Sequence, residues 1–319
     1  MKRIQGRTKR RGPLRRYAED YLFILPYYLI FVVFTILPVG TAIGLSFTYF
    51  NVLEAPSFVG VSNYVQLVLD DSLFMTALKN TLFLSLITGP LGYLLSIALA
   101  WLVNEFGAKL RSVLTLLFYA PVISGGAYMI WQIIFSGDAY GYLNGLLMDL
   151  GIIYYPIQWL TDVDYMWTAA VVVVLWMSFG AGFLSFIAGF KNIDTRLYEA
   201  AAVDGIRNRY QEFWYITLPE LKPQLMFGAV MSITGSFGMG DMLTGVFGFP
   251  SSNYALHTLV HHLQDYGNVR FEMGYACAIA VLLFILMVGA NQIVQRLLRI
   301  CNRFRLGHYL RQVIHFLCG

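Results

Sequence analysis

Six stretches of the chain are long, apolar and almost free of charge: residues 17–53, 80–104, 112–137, 165–190, 223–240 and 273–295. About 20 mostly apolar residues carry a helix across the hydrocarbon core of a bilayer, so each stretch predicts a membrane span. The first is interrupted only by Glu19 and Asp20, and the fifth, the shortest, ends at Asp241. A seventh charge-free stretch, Met242 to Gln264, holds Pro250, Ser251, Ser252, Asn253 and three histidines. Such groups are costly in lipid, and this stretch predicts no span. The basic start and apolar run of the first stretch superficially resemble a secretory signal. The run is too long for one and no A-x-A-like site follows, which predicts a retained first helix. Between the third and fourth spans, Leu143 to Leu150 predicts a short interfacial helix. Tyr154, Tyr155, Trp159 and Trp167 cluster there as interfacial belt residues do.

Composition agrees with the pattern. Hydrophobic residues make up 58% of the 319 positions and charged residues only 13%, against about 25% in a soluble domain. That excludes a soluble enzyme, and the apolar content excludes a disordered chain. Cys277, Cys301 and Cys318 form neither a disulfide framework nor a metal motif and read as free thiols.

The positive charges are unevenly placed. Eight lie before Tyr17, Lys109 and Arg111 lie in the second connection, and Lys191, Arg196, Arg207, Arg209 and Lys222 lie in the fourth. A further group begins at Arg296. The alternate connections hold only Lys79 and Arg270. Lys and Arg accumulate on the cytoplasmic side, so the expected fold class is an all-α integral membrane protein of six transmembrane helices with both termini cytoplasmic. The expected organisation is a basic N-terminus 1–16, a membrane domain 17–300 and a tail 301–319. The basic N-terminus reads as an orientation signal on anionic lipid, not as a nucleic-acid site.

One connection differs from its surroundings. In residues 191–223, Asp194 or Thr195 is placed to cap a helix over Arg196 to Val203, and Gly205 to end it. A second helix, Asn208 to Thr217, is expected to stop at Pro219. The result is a cytoplasmic helical hairpin with a small-residue face.

The particular residues of that hairpin, "YEAAAVDG" (Tyr198–Gly205) and "ITLPELKP" (Ile216–Pro223), resemble the EAA motif of binding-protein-dependent ABC importer permeases, in its sugar-permease form. Glu199, Ala200, Ala201, Asp204, Gly205, Ile216, Leu218 and Pro219 match. Ten residues separate Gly205 from Ile216, one more than the motif has, and the surplus residue is expected in the turn after Gly205. "APVISGGAYMIWQIIF" (Ala120–Phe135) is similar to the third-helix segment of these permeases, and "GSFGMGDMLTGVFGFP" (Gly235–Pro250) to their fifth-helix end. Gly248-Phe249-Pro250 stands where the family has G-G-P.

The resemblance implies a type I ABC importer permease fold in the bacterial cytoplasmic membrane, and a subunit that does no chemistry. A second permease would pair with it, two ATPase subunits would dock on the EAA hairpins, and an extracytoplasmic binding protein would deliver a sugar. ATP and Mg would be used by the ATPase, with no cofactor held by this chain. Its own residues agree, since no G-x-x-x-x-G-K-[ST] phosphate loop occurs.

The expected substrate path is less localised. Ser232, Ser236 and Met239 fall on one face of the fifth span, at a distance from the motif that resembles that of path-lining positions in maltose-type permeases. Tyr128, Trp131 and Gln132 on the third span, and Trp176 and Ser178 on the fourth, are further candidates. The competing reading is that small residues serve helix packing. Asp241 is expected to have a structural or gating role at the outer end. His257, His261 and His262 lack further ligands for a metal and are expected at the surface that faces the binding protein. Other readings are a different solute, such as glycerol phosphate or a peptide, an intramembrane enzyme, and an ion-coupled carrier. The spans contain no Lys or Arg for an anion, no paired catalytic groups and no ion relay.

Overall fold

The computed structural model describes residues 18–317; the basic segment 1–16 and Cys318 lie outside them. Helix α1 comprises Ala18–Phe31, a π turn Val32–Ile36 and Leu37–Leu45. Two short antiparallel strands follow, β1 (Thr48–Tyr49) and β2 (Ser57–Phe58). The chain continues as α2 (Ser62–Leu69), α3 (Ser72–Asn104) and α4 (Ala108–Ile123). Short helices α5 (Ile130–Ile134) and α6 (Tyr142–Asp149) precede α7 (Val163–Trp176) and α8 (Ala181–Asn192).

Among the described residues, four helical segments are long and apolar enough to cross a membrane: Tyr21–Leu45, Ser72–Asn104, Val163–Asn192 and Met273–Leu298. They coincide with the first, second, fourth and sixth expected stretches. The third expected span is broken: α4 and the helical turns from Ala127 to Ile134 meet at 90°. Ser124, Gly125 and Gly126 form the break, and Gly125 takes a φ of 66°, which only glycine adopts freely. The fifth, α11 (Lys222–Phe237), has 16 residues and alone falls short of a span. After Gly238 it resumes as α12 (Gly240–Phe247). The apolar run 17–53 overestimated α1, whose last residues turn into β1 because Asn63 of α2 donates to the carbonyls of Ser46 and Thr48.

The seventh stretch, Met242 to Gln264, holds no helix long enough to cross a membrane among the described residues; it contains most of α12 and α13 (Leu259–Gln264), and a π turn Asp265–Val269 follows. The final helix, α14, runs from Met273 to Leu317 without a break at 300.

Small residues let the central helices cross closely. A Cβ on Gly92 of α3 would lie 2.9 Å from the Ser178 Cβ, and one on Gly182 of α8 would lie 3.4 Å from the Gly228 Cα of α11. Bundles in lipid gain no hydrophobic drive from helix contact and rely on such packing. At one end, Ile97, Ala100 and Val103 of α3 pack with Phe183, Phe186, Ile187, Phe190 and Leu221. At the other, Phe74 and Ala77 of α3 pack with Leu259, Tyr275, Ala278 and Ile279.

Candidate functional site

The helical hairpin forms as its sequence dictates. Helix α9 (Thr195–Val203) starts at Asp194, whose carboxylate accepts the Arg196 N–H at 3.0 Å. It ends at Gly205, with φ of 94°. The second limb, α10, begins at Asn208, which accepts the Gln211 N–H. It comprises Arg209–Glu212, a π turn Phe213–Thr217 and Leu218–Glu220. One expectation is corrected here: the helix does not stop at Pro219 but runs on to Glu220. A π turn contains one residue more than an α turn. The Leu218 N–H reaches back to the Phe213 carbonyl, so the limb holds one residue more than an unbroken α-helix of the same length would.

Glu199, Ala200, Asp204, Gly205 and Pro219 are exposed, whereas Ile216 and Leu218 are half-buried and Ala201 is buried. Ala201 therefore faces the hairpin's own interior, where a small side chain lets the limbs approach. The Tyr198 hydroxyl meets the Thr217 Oγ at 2.9 Å and ties one limb to the other. Burial raises the Tyr198 pKa, so this hydroxyl stays protonated at neutral pH.

The bundle holds a partly open cavity of about 410 Å³. Its lining brings together Ser232, Ser236, Met239 and Ser178 from the expected path, with Thr88, Tyr93 and Ser96 of α3 and Tyr119 of α4. Met177, Met231, Met242 and Phe186 complete much of the wall, and no lining side chain is charged. The break between α7 and α8 falls on this wall: Gly180 caps α8 without a side-chain bond. Irregular backbone at membrane depth is tolerated where it borders a cavity. Ser232 donates to the Gly89 carbonyl at 2.6 Å, which ties α11 to α3, and it also borders the cavity.

Tyr128, Trp131, Gln132 and Trp176 do not reach that wall. Tyr128 packs against Gly245, Gln132 donates to the Gly245 carbonyl at 2.8 Å, and Trp131 meets Phe135 and Trp176 in ring contacts. Tyr128, Trp131 and Gln132 lie beyond the 90° break, and Trp176 ends α7 beside them. The α3 residues Thr88, Tyr93 and Ser96 were missed. Their signal was a row of small and hydroxyl residues, Ser85, Thr88, Gly89, Gly92 and Ser96, at helical spacing.

At the end away from the hairpin, the histidines are buried, which corrects the surface expectation. The His262 Nε2 lies 2.9 Å from the Asp71 Oδ2, and Tyr275 and Tyr266 donate to the same oxygen at 3.0 and 3.3 Å. The Asp71 Oδ1 accepts the Phe74 N–H and caps α3. The His257 Nε2 meets the His262 Nδ1 at 3.2 Å. Burial acts to raise the Asp71 carboxyl, but the Phe74 N–H, His262 and Tyr275 outweigh it and hold it below its usual range. Burial pushes His257 down to about 3 and His261 to about 4. Among the described residues no group of three or more His, Cys, Asp or Glu is arranged to hold a metal. Asp241 stands exposed at the start of α12 and accepts a hydrogen bond from Gln264.

The family described as "Binding-protein-dependent transport system inner membrane component" matches residues 92–300. The arabinooligosaccharides transport system permease protein AraP of Bacillus subtilis is 32% identical over 278 residues, 86% of this chain and 87% of that protein. The sn-glycerol-3-phosphate transport system permease protein UgpA of Agrobacterium fabrum is 29% identical over 278 residues, 84% and 90% of the two chains. A bacterial ABC transporter involved in the import of the acidic polysaccharide alginate has the same fold. It has a TM-score of 0.69 and 24% identity, covering 89% of this chain and 97% of that one. With its helical membrane bundle and its match over residues 92–300, the chain belongs to the family of inner-membrane permease components of binding-protein-dependent ABC importers.

Proposed function

We propose that this permease carries an uncharged sugar or short oligosaccharide into a bacterial cell, through a path shared with a second permease. The observation that carries the reading is the uncharged cavity, with serine, threonine and tyrosine hydroxyls set among aromatic and methionine faces. Sugars present hydroxyls for hydrogen bonds and flat apolar faces for contact, and such a lining serves both. A glycerol phosphate would bring a charge into low dielectric with no cation on this wall to meet it. The AraP relative supports a saccharide.

The hairpin is the ATPase contact in this reading. Glu199, Ala200, Asp204, Gly205 and Pro219 offer its exposed surface, while Ala201, Ile216 and Leu218 shape it from within. ATP is hydrolysed in a separate subunit, the chain's own role being passage. The hairpin and both termini lie in the cytoplasm, following the clustering of Lys and Arg. The far end, where Asp241 is exposed, faces the binding protein.

The test is affinity purification of the tagged chain from mild detergent, followed by uptake of labelled sugars by the recovered complex in liposomes. Recovery of a second permease and an ATPase, with ATP-dependent uptake of a neutral sugar, is expected. Uptake without an ATPase, or of glycerol phosphate only, would overturn the reading. Gly235 borders the cavity and faces open space. Gly235→Phe should therefore fill the path and abolish uptake while leaving the complex assembled.

A further inference from the structure

Helix α3 touches the hairpin, the cavity and the far end. Its 33 residues span about 50 Å at 1.5 Å per residue. At the hairpin end, Trp101 packs against Phe213 with ring centroids 4.9 Å apart and against Tyr210 at 5.8 Å, both from α10. Phe213 also joins the buried cluster of Ile97, Ala100, Val103 and Phe190. The Arg209 guanidinium lies 3.6 Å from Glu105 at the α3 C-cap. Both side chains of that pair are well exposed, and such pairs contribute little, so the aromatic contact carries the attachment. Arg111 donates to the carbonyls of Asn104 and Phe106 and closes the end of α3. In its middle, Thr88, Tyr93 and Ser96 border the cavity.

At the other end, Asp71 gathers donors from three further places in the chain: His262 of α13, Tyr266 of the π turn and Tyr275 of α14. Three donors on one carboxylate oxygen make a contact that is strong when complete and costly when broken, because each donor left behind is buried or half-buried.

We propose that α3 is the rod that carries the hairpin's displacement to the far end, with Trp101 and Phe213 as its grip and Asp71, seated on His262, Tyr266 and Tyr275, as the latch it opens. The inference rests on the importer reading above. The hairpin adjoins α8 and α11 in sequence, yet its second limb is gripped by α3. A push on the hairpin is therefore delivered to the helix that lines the path and closes its far end. Trp101 and Asp71 are positioning residues: neither touches substrate, and both set where α3 sits.

Energetic coupling, not spatial intermediacy, is the test. In the assembled transporter, Asp71→Asn removes the charge that the donors share, so the latch opens at lower cost. Basal ATPase activity without binding protein should rise by about fivefold or more, with the maximal stimulated rate little changed. In a Trp101→Ala background the grip is gone, and the same change should move basal activity by less than about twofold. An equal rise in both backgrounds, or no rise in either, would overturn the proposal. Where Asp71→Asn fails to assemble, Tyr275→Phe removes a single donor and is read the same way, and Phe213→Leu replaces Trp101→Ala. Absence of any ATPase in the purified complex would instead defeat the importer reading and is scored before the cycle begins.

Discussion

Gly205 shows how much a single backbone angle determines. Its φ of 94° lies where a side chain costs about 1–2 kcal/mol, and a Cβ there would meet nothing within 4 Å. Strain, not crowding, therefore sets the effect of a substitution. Gly205→Val should leave the protein inserted in the membrane but tilt α9 against α10. ATP hydrolysis should continue with uptake lost, and parallel assays of phosphate release and labelled sugar would check it. Normal uptake would show that hairpin geometry is not what couples the two. Gly92 presents the opposite case, since crowding decides there. A Cβ would stand 2.9 Å from that of Ser178, at the break between α7 and α8.

At the scale of elements, the two π turns at Val32–Ile36 and Phe213–Thr217 share a feature. Each is followed by leucine and proline, Leu37-Pro38 and Leu218-Pro219, and in each the leucine N–H bonds to the carbonyl five residues back. A proline in an α-helix clashes with the carbonyl four residues before it, and the wider turn displaces that carbonyl. Pro219 is thus tolerated inside the limb that its sequence seemed to end. Pro219→Ala should leave the melting temperature unchanged or raised, while uptake falls if the exposed proline meets the ATPase. A fall in both would assign Pro219 to stability alone. Gly92→Val tests the helix crossing and should cost about 1–3 kcal/mol through overpacking, read as a lower melting temperature in detergent.

For the whole molecule, the buried histidines set a pH dependence. His257 is lowered from 6.5 to about 3 and His261 from 6.5 to about 4, chiefly by burial. A depressed histidine stays neutral in the fold while the unfolded chain takes up its proton below 6.5, so stability is lost as pH falls from that value towards the folded one. Above 6.5 these groups contribute no slope. Asp71, held below 3.8, adds a further loss only as pH falls below that value. The melting temperature should be flat from pH 8 to 7 and fall steadily towards pH 4, and His257→Gln with His261→Gln should flatten the fall. A flat profile in the unmodified protein would mean that these imidazoles are hydrated.

Much of this protein was decided by the sequence alone, for reasons that act locally. Hydrocarbon thickness fixes how many apolar residues a span needs, so the four long spans were legible from their runs. Asp194 and Gly205 marked the ends of α9 because capping and left-handed φ are properties of single residues. Ser232 and Ser236 share a face by helical period, and that face borders the cavity; Met239 also borders it, from beyond the end of α11. Other features waited for the tertiary structure because they depend on partners distant in sequence. The 90° break after α4 removed Tyr128, Trp131 and Gln132 from the cavity. Asp71, unremarkable in the chain, became the acceptor for residues about two hundred positions away. The histidines, expected at the surface, are inside, where Asp71 meets His262, Thr258 meets His261 and His262 meets His257. A polar residue's place depends on whether a partner is there to meet it, and no periodicity in the chain records that.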